Sequence, residues 1–249
     1  FPQRNHGQKR VLFLLQQRNY KSKVDCYKSV SEYNYRFYNF CNTFKMPSLL
    51  EIDSVIKSYD DRPVLTDIYL KCETGDIIGM FGRNGSGKST LLKILFGILA
   101  AERKFIRIDG KVFDCPYKTK NELCFLPQHD FLPKYMKAAK AVELYLGKDA
   151  VETFFADNIL KKLNNNKVSE LSGGELRYLE IKLLLKTESK FILLDEPFNG
   201  VSPLLVEYIR GLIVESSKTK GIILTDHDYK SVLDVANRYC LIYDGGIKT

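Results

Sequence analysis

The fold is decided by one stretch of the chain, Gly82-Arg83-Asn84-Gly85-Ser86-Gly87-Lys88-Ser89-Thr90, which matches the phosphate-loop pattern G-x-x-x-x-G-K-[ST] at every fixed position. The apolar run before it, Asp76–Phe81, predicts a buried strand, and Thr90–Phe96 after it predicts a helix with one apolar face. A strand, a glycine-rich loop and a helix in this order form a phosphate cradle, because the loop N–H groups and the positive end of the helix point at the same place. The stretch therefore predicts a bound nucleotide.

Two side chains of the loop have chemistry suited to a nucleoside triphosphate. Lys88 is placed to reach the β- and γ-phosphates, and the hydroxyl of Ser89 is placed to bind Mg²⁺. The glycines allow the backbone to curl with its N–H groups turned inward. The nucleotide contacts predicted for the loop are Gly82, Asn84, Gly85, Ser86, Gly87, Lys88, Ser89 and Thr90.

The composition of the 249 residues is ordinary for a globular protein, with 45% hydrophobic and 27% charged residues. Every apolar run is far shorter than the ~20 residues that a membrane-spanning helix needs. The first residues also lack the layout of a signal peptide. The six cysteines form no C-x-x-C pair and show no metal-ligand spacing, which predicts reduced thiols in a cytosolic protein.

The positive charge is concentrated at one end of the chain. Residues 1–45 hold nine Lys/Arg and two Asp/Glu, whereas residues 46–249 hold 29 and 28, so the body of the protein carries a net charge of only +1. A basic tail on a nearly neutral body is weak evidence for a nucleic-acid-binding surface. We therefore expect no nucleic-acid partner.

Residues 1–45 form a basic segment with ten Phe/Tyr and no sustained helical or strand period. The first methionine is Met46, and the first convincing strand begins directly after it. Our hypothesis is that Met46 is the natural start and that residues 1–45 are upstream sequence read in frame. The alternative is a real basic arm that touches a membrane surface or a partner. In either case, residues 46–249 are predicted to form the nucleotide-binding domain.

The remaining pattern predicts an α/β fold of the P-loop NTPase type. Two alternating runs, Leu49–Ser58 and Val64–Lys71, flank a turn at Asp60–Pro63 and predict an N-terminal antiparallel β subdomain. Later strands alternate with helices, which is typical of a mostly parallel sheet covered by helices. Helical spacing without a strand signal over residues 135–163 predicts a helical insert, placed at about residues 130–188. The other predicted elements are strands Phe105–Ile108, Leu123–Pro127, Phe191–Leu194, Gly221–His227 and Tyr239–Tyr243, and helices Ser172–Leu185, Pro203–Ser216 and Ser231–Ala236.

Several polar residues follow apolar strands, and ligands collect at the carboxyl ends of strands in parallel sheets. Gln128, Asp195, Glu196 and His227 stand in such positions, so we expect them to converge near Gly82. A carboxylate such as Asp195 is the usual partner of Mg²⁺ in this class of fold. The adjacent Glu196 points to the opposite face of its strand, where it can polarise an attacking water.

Together these motifs resemble one family, the ATP-binding cassette (ABC) ATPases, over Leu49 to about Gly246. Gly82–Thr90 looks like the Walker A loop, and Phe191–Asp195 looks like Walker B. The most discriminating piece is Leu171-Ser172-Gly173-Gly174-Glu175, which matches the L-S-G-G-[QE] signature.

The resemblance implies roles for single residues. Glu196 stands in the place of the general base, with His227 as the switch histidine and Lys88 as a further catalytic group. Gln128 stands in the place of the Q-loop residue, which touches the nucleotide and Mg²⁺, and Tyr59 in that of the aromatic residue that stacks on adenine. The implied metal ligands are Ser89, Gln128 and Asp195.

The resemblance also implies an assembly. Ser172, Gly173 and Gly174 would serve the γ-phosphate of ATP bound to a second subunit, in a homodimer or heterodimer that closes around two ATP molecules. One departure bears on this assembly: the family usually has Leu-Asp where this chain has Val201-Ser202. Ser202 puts communication between the two sites in doubt.

The leading hypothesis is the ATP-hydrolysing subunit of a membrane transporter, cytoplasmic and held at the membrane face by a permease. The run Asp195–Pro203 resembles that of lipopolysaccharide-export and branched-chain amino-acid cassettes. The alternative is a soluble ATPase of the same superfamily that acts on ribosomes or nucleic acid. A third candidate, a phosphate-loop kinase, gives no account of Leu171–Glu175.

Overall fold

The structure is a computed structural model that describes residues 47–248. The hypotheses for residues 1–45 lie outside this range. Among the described residues, no helix combines the length and the apolar character needed to cross a membrane.

The first strands form an antiparallel sheet of four, in the order β2-β1-β4-β5. Its members are β1 (Leu49–Tyr59), β2 (Arg62–Glu73), β4 (Arg103–Ile108) and β5 (Lys111–Val112). Alternate side chains of β1, such as Leu50 and Ile52, are fully buried, as the alternating sequence pattern predicts. The predicted antiparallel subdomain is therefore present, with β5 as an unpredicted addition.

The β1–β2 hairpin is tighter than predicted. Arg62 pairs with Tyr59 and Pro63 pairs with Ser58, so the turn consists only of Asp60 and Asp61. Both turn residues adopt positive φ angles, of 46° and 61°. Two left-handed residues match the twist of the paired strands, and aspartate tolerates that conformation better than most residues.

The second sheet has six strands in the order β10-β9-β3-β8-β7-β6. The five strands from β9 to β6 run parallel, and β10 pairs antiparallel with β9 at the edge. The mostly parallel sheet is confirmed, whereas β10 was not predicted. The members are β3 (Ile77–Phe81), β6 (Leu123–Leu126), β7 (Phe191–Asp195), β8 (Gly221–Thr225), β9 (Arg238–Tyr243) and β10 (Gly246–Lys248).

Six α-helices complete the described part of the chain: α1 (Lys88–Phe96), α2 (Ala138–Leu146), α3 (Ala150–Phe154), α4 (Gly173–Lys186), α5 (Pro203–Ser217) and α6 (Tyr229–Val235). Two short 3₁₀ turns lie at Pro116–Lys118 and Val168–Glu170. The segment predicted as helical over residues 135–163 holds α2 and α3, and its remainder forms turns. Helices α1 and α6 each begin two residues earlier than predicted, whereas α1 ends at the predicted residue and α6 ends one residue earlier.

The parallel sheet separates two hydrophobic cores, because successive side chains of a strand point to opposite faces. Ile78 and Met80 of β3 pack in one core with α1 and the antiparallel sheet. Ile77 packs in the other core with α4, α5 and α6. This double burial explains why β7 and β8 are apolar throughout and place polar groups only at their ends.

Candidate nucleotide and magnesium site

The phosphate loop runs from the end of β3 to the first residue of α1. At Gly82, a Cβ atom would lie 2.5 Å from the Ser86 hydroxyl oxygen and 2.8 Å from the carbonyl oxygen of Ile242. At Gly87, φ is 99° and a Cβ atom would approach the side chain of Leu65 to 2.8 Å. Only glycine therefore permits this loop to curl so closely against its neighbours.

Lys88 is buried under the loop. Its Nζ donates hydrogen bonds to the carbonyl oxygens of Gly82 at 2.7 Å and Arg83 at 3.2 Å. Burial lowers the pKa of Lys88, while the carboxylates of Glu196 and Asp195 act in the opposite direction. The ammonium group is thus held inside the loop, where phosphate oxygens are expected.

Asp195 ends β7 and is fully buried. Its Oδ1 accepts hydrogen bonds from the Ser89 hydroxyl at 2.9 Å and from the Thr225 hydroxyl at 3.0 Å. Its Oδ2 has no hydrogen-bond partner among the described residues. Burial raises the pKa of Asp195, because the charged form loses its hydration.

This arrangement fits a magnesium ion. A buried carboxylate oxygen without a partner stands next to a hydroxyl, and Mg²⁺ prefers hard oxygen ligands. A cation bound here would also offset the cost of burying the Asp195 charge. Among the described residues, no three His, Cys, Asp or Glu side chains are placed to hold a metal ion together. This does not conflict with Mg²⁺, which commonly takes one or two carboxylates plus phosphates and waters.

Glu196 follows Asp195 with a positive φ of 52°. Its Oε2 accepts hydrogen bonds from the Gln128 amide at 2.9 Å and the Asn199 amide at 3.0 Å. Its Oε1 lies 3.0 Å from Nε2 of His227. The structure thus brings Gln128, Glu196 and His227 together, as the strand-end positions predict, and it adds Asn199, which the sequence analysis missed.

A small cleft of about 180 Å³ lies over the loop. Glu196 and His227 line it together with Asn84, Gly85, Ser86, Gly87, Lys88, Ser89 and Thr90. Gln128 reaches this cleft only through its bond to Glu196, so its predicted contact with Mg²⁺ stays a prediction. Tyr59 is half exposed at the end of β1, where Nζ of Lys57 lies 5.0 Å from the centre of its ring.

The predicted signature residues do not line this cleft of their own chain. Ser172 caps α4: its backbone N–H donates to Glu175 Oε2 at 2.8 Å, and its hydroxyl oxygen accepts from the Glu175 N–H at 3.4 Å. The predicted capping box is therefore confirmed. Ser172 and Gly173 are exposed, and a Cβ atom at Gly173 would meet nothing within 4 Å. Their surface is free to contact a second molecule.

A buried arginine joins the signature helix to the site. Nη2 of Arg177 donates to the carbonyl oxygens of Asp195 at 2.7 Å and Glu196 at 2.9 Å, and Nη1 donates to the carbonyl oxygen of Pro127 at 2.8 Å. The signal available in the sequence was a charged residue among the apolar positions of a predicted helix. That signal does not identify the role of Arg177, because its acceptors are backbone carbonyl groups of two distant loops.

Glu180, one turn further along α4, is fully buried. Its Oε1 accepts from the backbone N–H groups of Phe131 at 2.7 Å and Leu132 at 3.0 Å, and its Oε2 lies 3.8 Å from Nη1 of Arg177. Burial raises the pKa of Glu180. Arg177 and Glu180 therefore hold the segment after β6 at both of its ends.

The structure also contains a larger groove of about 1200 Å³. Pro127 and Phe131, which α4 holds in place, both line it. Six of its 25 lining residues are aromatic, and Leu144 and Tyr145 of α2 are exposed along it. The aromatic members are Phe96, Tyr117, Phe125, Phe131, Tyr145 and Phe154.

Sequence comparison relates this chain to known proteins. The family model described as "ABC transporter" matches residues 65–199. A lipopolysaccharide export system ATP-binding protein, LptB of Acidithiobacillus ferridurans, is 31% identical over 217 residues, which cover 82% of this chain and 90% of that protein.

Solved structures agree with this match. The ADP conformation of an ATP-binding cassette of an ABC transporter aligns with a TM-score of 0.67 at 26% identity, covering 81% of this chain and 90% of that one. A dimeric cassette in a post-hydrolysis state, bound to ADP and phosphate, shares the fold with a TM-score of 0.70 at 21% identity, covering 80% and 97%.

We predict that Arg177→Met lowers the free energy of unfolding by about 3 to 5 kcal/mol, since it strips donors from three carbonyl oxygens and leaves the buried Glu180 without its cation. Chemical denaturation measures this loss. Arg210→Met is the matched control, because Arg210 pairs with surface carboxylates and its loss should cost about 1 kcal/mol or less.

Glu180→Gln in the Arg177→Met background should restore part of the stability, because it removes the uncompensated charge. Losses of equal size for Arg177→Met and Arg210→Met would contradict the role assigned to the buried guanidinium.

Proposed function

Because this chain belongs to the ABC transporter family, as an ATP-binding subunit that hydrolyses ATP to power a membrane transporter, we propose that it works as one half of a dimer docked on a lipid-exporting permease. The single observation that carries the proposal is that the signature residues Ser172 and Gly173 are exposed and do not line the phosphate-loop cleft of their own chain. The family assignment also favours a transporter over the soluble ribosome- or nucleic-acid-acting alternative.

In the proposed mechanism, the loop N–H groups and Lys88 bind the β- and γ-phosphates of ATP. Ser89 and Asp195 would hold Mg²⁺, which supplies charge neutralisation for the phosphate oxygens when it is bound. Glu196 accepts a proton from the attacking water, and His227 orients the Glu196 carboxylate from the opposite side to Gln128. Tyr59 would stack against adenine from its exposed position.

The proposed dimer follows from what the single chain lacks. Its own cleft is lined by the phosphate loop, Glu196 and His227, and the signature residues Ser172–Gly174 face outward instead. The N-terminus of α4 offers free backbone N–H groups to an anion. Placing it over the γ-phosphate bound to a second copy would complete both sites, and ATP would hold the dimer together. The solved cassette dimer supports this arrangement.

The proposed permease contact is the 1200 Å³ groove. We assign to it a short amphipathic helix from a cytoplasmic loop of the permease, since an aromatic groove with exposed Leu144 and Tyr145 suits the apolar face of a helix. The chain would then lie at the cytoplasmic face of the membrane without entering it. Its similarity to LptB supports a permease of the lipopolysaccharide-export type, and the amino-acid-transporter alternative is weaker.

Glu196→Gln should preserve ATP affinity and lower turnover by roughly 10²–10⁴-fold, because the amide keeps the shape of the side chain but cannot accept the proton. Nucleotide titration and phosphate release measure the two effects. Glu152→Gln, an exposed acid of α3, is the matched control and should change neither. Turnover that survives Glu196→Gln would assign the base role to another group.

The dimer is tested by mixing two inactive variants, Lys88→Ala and Ser172→Arg. Each variant alone has two damaged sites, whereas a mixed dimer collects both lesions in one site and leaves the other intact. Activity should return on mixing, with each mixed dimer reaching up to about half the activity of the intact dimer if the sites are independent. If the two sites depend on each other, a mixed dimer recovers little activity. The size of the Glu196→Gln protein, measured with and without ATP, then tests dimer formation directly. No recovery on mixing, together with a monomer at saturating ATP, would refute the shared-site dimer.

Leu144→Asp should abolish co-purification with the native membrane partner, because it places an unpaired charge in the proposed groove contact. Val214→Asp, an exposed apolar position on α5 outside the groove, is the matched control and should retain the partner. Mass spectrometry of the retained protein identifies the permease class. Capture of ribosomal proteins in place of a membrane protein would overturn the transporter assignment for this chain.

A further inference from the structure

The turn after Glu196 is held to the end of β8 by two hydrogen bonds from its backbone N–H groups. The N–H of Glu196 donates to the carbonyl oxygen of Thr225 at 2.8 Å, and the N–H of Phe198 donates to the buried Asp226 carboxylate at 2.8 Å. Phe198 itself is buried in the core that contains α4 and α5. The turn is therefore anchored to the end of β8, which also carries His227.

Asn199 is the member of this turn that is both exposed to solvent and bonded to the catalytic carboxylate. Its amide Nδ2 lies 3.0 Å from Oε2 of Glu196, and its backbone N–H donates to the Glu196 carbonyl oxygen at 3.4 Å. The Gln128 amide donates to the same Oε2. Asn199 does not line the nucleotide cleft, so its contact with the chemistry runs through Glu196.

The loop beyond Asn199 leads away from the site towards the signature. Gly200 has a positive φ of 69°, and Ser202 then caps α5 through its backbone without a side-chain cap bond. In the first turn of α5, Leu205 lies where a Cβ atom at Gly174 would approach it to 3.1 Å. Asn199 therefore stands at one end of a short connection between the signature glycines and the Glu196 carboxylate of the same chain.

We propose that Asn199 is a positioning residue for ATP hydrolysis: its amide fixes the Glu196 carboxylate and ties the orientation of that carboxylate to the loop Asn199–Ser202. This inference depends on the proposed role of Glu196 as general base. Asn199 lies in the same loop as Ser202, which stands where the family usually has Asp. The Asn199 amide gives this loop a side-chain contact with Glu196. The link it describes acts within one chain, from the loop to its own site.

Hydrogen bonds to the Glu196 carboxylate restrict the conformations of its side chain. A glutamate side chain has three rotatable bonds, and each donor that grips its carboxylate removes conformations that cannot contact the attacking water. Gln128 and Asn199 hold Oε2 from two different loops, and His227 lies against Oε1. Removing Asn199 leaves Oε2 with one donor and frees the carboxylate to turn away. Binding of ATP is not expected to change, because the phosphate contacts remain.

The first test is Asn199→Ala. We expect kcat to fall by roughly tenfold, the effect of losing about one hydrogen bond to a charged group, while the Kd for ATP, measured by fluorescence titration, changes by less than about twofold. Asn199→Asp keeps the size of the side chain but cannot donate and adds a like charge, so its loss of kcat should be at least as large. Asn158→Ala and Asn158→Asp, at an exposed position after α3, are the matched controls and should leave both quantities unchanged.

The second test asks whether Asn199 acts through Glu196. In a Glu196→Gln background, Asn199→Ala should lower the residual turnover by less than about twofold, because the group it positions has already been disabled. The midpoint of thermal unfolding should match between Asn199→Ala and its control, which separates positioning from a loss of folding.

These outcomes keep the two proposals apart. If Glu196→Gln retains full turnover, the base role of Glu196 is wrong. If Glu196→Gln is inactive and Asn199→Ala keeps the kcat of the unmodified chain, or loses the same factor in both backgrounds, the positioning role of Asn199 is wrong while the base role stands. A weakened Kd for ATP at unchanged kcat would also overturn the inference.

Discussion

Two adjacent carboxylates, Asp195 and Glu196, are buried at the end of one apolar strand, and the rest of the site depends on how the protein accommodates them. Buried charges are costly unless they are paired or hydrogen-bonded. Their partners come from every surrounding segment: the phosphate loop, the segment after β6, the end of β8 and the turn after β7. Because each donor must reach the same few ångströms, the carboxylates force these segments into one arrangement. One oxygen of Asp195 has no hydrogen-bond partner among residues 47–248, and its chemistry fits that of a ligand to a metal ion.

Arg177 also stabilises the segment that carries Asp195 and Glu196. Its guanidinium donates hydrogen bonds to the backbone carbonyl oxygens of both acidic residues and of Pro127, so it supports the peptide of Glu196 in its left-handed conformation. A lysine would not replace it, since three acceptors in different directions need a planar group with several donors. The site is thus stabilised from the signature helix and from the strand ends at once.

Much of the fold and most of the site could be predicted from local pattern. The phosphate loop, the apolar strands ending in polar groups and the capping box at Ser172 each have a short-range physical cause, and the structure shows them where they were expected. What could not be predicted depends on contacts between distant segments. Asn199 looks like an ordinary loop residue until the turn brings its amide to Glu196, and Arg177 is explained only by carbonyl groups that carry no sequence signal. The short strands β5 and β10 were missed for a related reason, since they exist only as pairs with a neighbouring strand.

The rigidity of the Arg177 connection has a mechanical consequence. Pro127 forms part of the groove wall, and the same planar group that grips its carbonyl oxygen also grips the backbone of Glu196. The guanidinium group is planar and rigid, so the carbonyl oxygens of Pro127 and Glu196 can move little relative to each other. A displacement of Pro127 at the groove wall is therefore passed on to the backbone of Glu196 instead of being absorbed between the two segments.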